Sequence, residues 1–94
     1  MKKEEETKFR YEIVARISRD TTIQIEDWKK QIAGDLRGLG NSLDIYISPS
    51  GKRSVIHIHT NTPEEVKRVI TVFSEIGTRC RFEEQDLNEQ LRGA

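Results

Sequence analysis

The stretch Val55-Ile56-His57-Ile58-His59-Thr60-Asn61-Thr62-Pro63-Glu64-Glu65-Val66 constrains the fold most, because an alternating strand runs there straight into a strongly signalled helix start. Successive strand side chains point to opposite faces. Ser54, Ile56 and Ile58 therefore share one face, while Val55, His57 and His59 share the other, with the two imidazoles on Cα atoms about 7 Å apart. These are the only histidines in the chain. Thr62 is placed to cap the helix, Pro63 suits its first position, and Glu65 can complete a capping box. Val66, Val69, Ile70, Phe73 and Ile76 then form an apolar stripe at helical spacing, and Gly77 supplies the stop.

The rest of the chain reads by the same two periods. Over residues 9–18, Phe9, Tyr11, Ile13, Ala15 and Ile17 alternate with Arg10, Glu12, Val14, Arg16 and Ser18, which predicts a half-buried first strand. After the polar loop at 19–22, Ile25, Trp28, Ile32, Leu36 and Leu39 mark a first helix, with Glu26 and Asp27 favouring its dipole. Gly34 and Gly38 are expected where this helix approaches the sheet, and Gly40 and Asn41 where it stops. Leu43, Ile45 and Ile47 alternate with Asp44, Tyr46 and Ser48 in a second strand. The turn residues Pro49, Ser50 and Gly51 join it to the third strand, 53–60, as a hairpin. A short fourth strand is expected over 78–83, with Cys80 and Phe82 inward and Arg79, Arg81 and Glu83 outward.

The order βαββαβ, with right-handed crossovers, predicts an α+β ferredoxin-like sandwich: a four-stranded antiparallel sheet of order 4-1-3-2 with both helices on one face. Residues 1–8 read as a solvated linker, 9–83 as the domain and 84–94 as a polar tail carrying Leu87 and Leu91. A chain of 94 residues, 34% hydrophobic and 34% charged, has material for one small core.

The same composition excludes several functions. Sixteen basic and 16 acidic residues cancel, so no net field draws the chain to nucleic acid or an anionic membrane. There is no apolar run long enough for a membrane span, and one cysteine permits no internal disulfide, so a cytoplasmic setting is expected. The open sheet face is polar: Arg10, Glu12, Val14 and Arg16 lie beside Val55, His57 and His59, with Arg79, Arg81 and Glu83 on one edge and Asp44, Tyr46 and Ser48 on the other. RNA-recognition domains of this topology stack bases on aromatics of the central strands, and none stands there here. Gly38-Leu39-Gly40 follows a helix rather than preceding one, which is the wrong end for phosphate, and no nucleotide or nucleophile motif occurs.

The histidine pair is the sharpest local signal. Two imidazoles on one strand can bind one zinc ion, but a stable site needs a third ligand. Cys80 points to the core, so Glu12, on the neighbouring strand and the same face, is the better candidate. The plain alternative is two ordinary surface histidines, and it outweighs the metal on the pair alone.

The segment from His57 to Val66 resembles the His-Val-His-Thr-Asn-Asp-Pro-like segment in the middle domain of the fatty acid kinase catalytic subunit, of the DAK-phosphatase family associated with DegV proteins. Leu39-Gly40-Asn41-Ser42-Leu43 is similar to the Leu-Gly-Asp-Ser-like segment that precedes it there, and Tyr11-Glu12-Ile13 to a Thr-Glu-Phe-like one. The resemblance implies a non-catalytic module that links an ATP-dependent kinase domain to a partner-binding domain and contributes to dimerisation. It also implies a zinc site made by the histidine pair and a cysteine on the first strand. Here Arg10 occupies that cysteine position, and a guanidinium cannot ligate. Either zinc is lost, with Arg10 interacting with Glu12 and the histidines, or Glu12 is a weaker oxygen ligand; loss is the favoured expectation. The sheet face with Arg10, Glu12, Arg16, Tyr46, Arg79 and Arg81 is the expected contact surface for self-association or flanking domains. An ACT-like small-molecule sensor shares the topology, but the loop at 19–22 lacks the glycine such sites use.

Overall fold

The computed structural model describes residues 9–74 and 80–88. Four strands and two helices follow in the order β1 (Tyr11–Ser18), α1 (Ile25–Asp35), β2 (Gly40–Ile47), β3 (Arg53–Thr60), α2 (Pro63–Phe73) and β4 (Arg81–Asp86). The sheet has the order β2-β3-β1-β4 with every neighbouring pair antiparallel, and the helices lie on one face of it. This is the ferredoxin-like sandwich that the alternation predicts. Among the described residues no helix is long and apolar enough to cross a membrane.

Period-2 patterning decides which face is covered. Ile13, Ala15 and Ile17 of β1 and Ile56 and Ile58 of β3 are buried against Trp28, Ile32 and Leu36 on the first-helix side and Val66 and Ile70 of α2. Trp28 meets Phe73 edge-on, with ring centroids 6.0 Å apart. Its indole N–H would be costly to bury unpaired. It donates to the hydroxyl of Ser54, which is itself fully buried on β3.

Several junctions differ from the sequence reading. Helix α1 stops at Asp35, and the left-handed residue after it is Gly38, with φ of 83°. Gly34 is exposed, and a Cβ there would meet nothing, so neither glycine marks a close helix–sheet approach. The close approach belongs to Gly40, which with Asn41 opens β2 instead of ending the helix: a Cβ at Gly40 would collide with the carbonyl of His59. At the start of α2, Pro63 takes the first turn as expected, but Thr62 makes no side-chain cap. Buried Thr60 does the joining, accepting from the Thr62 N–H and donating to the Leu39 carbonyl. Strand β4 begins three residues later than expected, because its pairing with β1 sets Phe82 opposite Ala15 and Glu84 opposite Ile13. Glu84 thus faces the helices and pairs with Lys67 at 2.7 Å, rather than belonging to a tail. The expectations for residues 1–8, Ile76, Gly77, Arg79 and Leu91 fall outside the described residues.

Candidate functional site

The site forms where the two central strands cross-pair on the uncovered face. Glu12 on β1 lies directly opposite His59 on β3, and Val14 lies opposite His57. Directly opposed and diagonal neighbours on one face of an antiparallel pair are within side-chain reach. Glu12 accordingly brings one oxygen, Oε1, to 2.9 Å from His57 Nε2 and 3.3 Å from His59 Nε2. The imidazoles are tilted against each other with centroids 5.1 Å apart. All three side chains are half-buried.

A β-bulge on the other side of β3 completes the arrangement. The β2–β3 register shifts between Asn41 and Asp44, and Ser42 adopts a φ of 57°. Bulges locally re-aim a strand. This one presents the Ser42 carbonyl to His57 Nδ1 at 3.3 Å.

The Ser42 carbonyl and the Glu12 carboxylate are both acceptors, and a neutral imidazole has one N–H to donate. The tautomer protonated at Nε2 gives it to the shorter contact, to Glu12, whereas the tautomer that donates to Ser42 through Nδ1 offers the Nε2 lone pair to a proton or a metal ion. The His57 hydrogen bond, with a further one from His59 and the charge of both rings, holds the Glu12 carboxyl below its ordinary value despite partial burial. Glu12 is therefore the anionic member of the cluster.

The donor set also fits zinc. Two imidazole nitrogens and one carboxylate oxygen lie within 4.8 Å of one another. Ligands about 2.1 Å from a tetrahedral ion stand about 3.4 Å apart, close to the spacing of the Glu12 oxygen from each ring nitrogen. A ligating histidine ordinarily donates its second ring N–H to a carbonyl or carboxylate, and the Ser42 carbonyl stands where Nδ1 of His57 would make that bond.

Arg10 departs from its expected place. It stands before β1, with its backbone N–H bound to the Asn61 side chain. Its guanidinium turns toward β4, pairing with Asp86 at 2.9 Å and lying over the Tyr11 ring. The histidines are on β3, the strand on the other side of β1. The guanidinium expected beside the histidines is thus aimed elsewhere, and the third residue of the cluster is Glu12.

Arg16 pairs with Glu83 at 2.7 Å on the open face, with Arg81 opposite Arg16. Tyr46 lies opposite Val55 and is 55% exposed. Cys80 is half-buried against the core, and burial pushes its thiol up. Arg79 lies outside the described residues. The sequence reading missed Arg19, which looked like a loop residue but is buried, its guanidinium donating to the carbonyls of Gly51, Asp20 and Ile23. It ties the β1–α1 loop to the β2–β3 turn. No family model matches the sequence, and no curated protein is significantly similar to it.

Proposed function

We propose that this chain is a non-catalytic linking and self-association module of a fatty-acid-kinase-like protein, and that Glu12, His57 and His59 hold a zinc ion in it. The metal reading is carried by one arrangement: two imidazole nitrogens and a carboxylate oxygen within 4.8 Å of one another on the uncovered face. The family reading is supported by the segment from His57 to Pro63, which supplies both the histidine pair and the strand-to-helix junction.

Bound zinc would cross-link β1 to β3 at the centre of the uncovered face. The only carboxylate of the cluster is then a ligand, which leaves no general base within it. The role is structural. Beside the cluster, Val14, Val55 and Tyr46 give the face an apolar strip bounded by polar ends, and a second copy of the same face is its occupant. Light scattering of the purified chain tests the association. A dimer that dissociates in Tyr46→Asp is expected, and a monomer at high concentration in the presence of zinc contradicts it.

A further inference from the structure

At the opposite end of the open face from the Glu12 cluster, the registers collect arginines. Arg16 of β1 stands directly opposite Arg81 of β4, and Arg53 of β3 stands opposite Ser18 of β1. Like charges directly opposed across strands destabilise a sheet unless something compensates them. Glu83 compensates Arg16, at 2.7 Å. Arg10, Arg68 and Lys67 also have carboxylate partners, and Arg19 has carbonyls. Among the described residues, no carboxylate pairs with Arg53 or Arg81.

These side chains border a cleft of about 250 Å³ lined by Arg16, Arg53 and Arg81 with Ser18 and Val55. That volume suits a small ligand and is below the usual range for larger ones. The three guanidiniums, offset by Glu83, leave two positive charges, which matches a phosphate dianion. Guanidinium forks bind phosphate oxygens bidentately, and the Ser18 hydroxyl adds a neutral donor.

We infer that this cleft binds a small phosphate-bearing ligand through Arg16, Arg53 and Arg81. The site is separate from the histidine cluster and is argued from the arginine registers alone, although it shares Val55 with the strip proposed for self-association. Its test is titration of inorganic phosphate and glycerol phosphate into the full chain, followed by amide NMR shifts. Saturable shifts centred on residues 16–18, 53–55 and 81 are expected with both probes. Tighter binding of the ester indicates a phosphorylated metabolite, and equal binding indicates the free ion. Arg53→Ala and Arg81→Ala should each weaken binding about tenfold, whereas Arg37→Ala in the exposed turn after the first helix should not change it. Shifts that rise without saturation, or binding that is equal in all three variants, would overturn the inference. So would an RNA oligonucleotide that binds this face when neither phosphate probe does.

Discussion

The two faces of one sheet are built by different physics, and β3 carries both in alternate residues. Ile56 and Ile58 are buried beneath the helices, while His57 and His59 stand half-exposed on the other side. The covered face is held by burial, which is non-directional and tolerates small adjustments of angle. The open face is held by a few directed contacts: two histidines on one carboxylate, an arginine on a glutamate, a carbonyl lent by a bulge. Stability should therefore reside mainly in the first, and pH and ion dependence in the second.

Ile58→Asp makes the strongest test of that division. It places a carboxylate in an apolar site that is 1% exposed, beyond what a marginally stable domain of this size absorbs. Loss of the folded far-UV circular dichroism signal is expected, whereas His57→Ala, one residue away, should retain it. Ser54→Ala is the next largest change. It strips the partner from the buried Trp28 N–H and should lower the free energy of unfolding by about 1–3 kcal/mol in urea titration.

Effects on the open face should be smaller and conditional. Because the Glu12 carboxyl is held below its ordinary value of 4.5, its contribution is complete above that pH. It is lost as pH falls through the lowered folded value. In metal-free protein, wild-type stability should therefore fall more steeply below about pH 4.5 than that of Glu12→Gln, measured by denaturant unfolding across the acid range. A slope unchanged by the substitution would mean that the carboxylate is not bonded to the histidines in solution. Glu83→Gln should have the least effect, below about 0.5 kcal/mol, since both partners of its pair with Arg16 are largely exposed.

The same division explains what could be read from the sequence. Burial leaves a periodic trace, so the alternation of Ile13, Ala15 and Ile17, the span of β3 and the stripe of α2 were legible, and with them the strand order. The meeting of Glu12 with the histidines followed from that order. Directed contacts leave no such trace. Nothing in the composition of residues 40–44 marks a bulge that turns the Ser42 carbonyl toward His57, and nothing near Arg10 shows that Asp86 will hold it. Strand β4 was misplaced for a related reason: its charged residues give weak alternation, so its pairing with β1 sets its position. Thr60 replaces the capping box because a buried hydroxyl beside the Leu39 carbonyl can serve two groups at once.

The open face turns most on the zinc site proposed for Glu12, His57 and His59. Its most direct test is the zinc content of protein refolded with zinc, dialysed against metal-free buffer and analysed by elemental mass spectrometry. About one zinc per chain is expected, falling to background in both Glu12→Ala and His57→Ala. Protein that retains no zinc, or variants that retain as much as the wild type, would contradict the account.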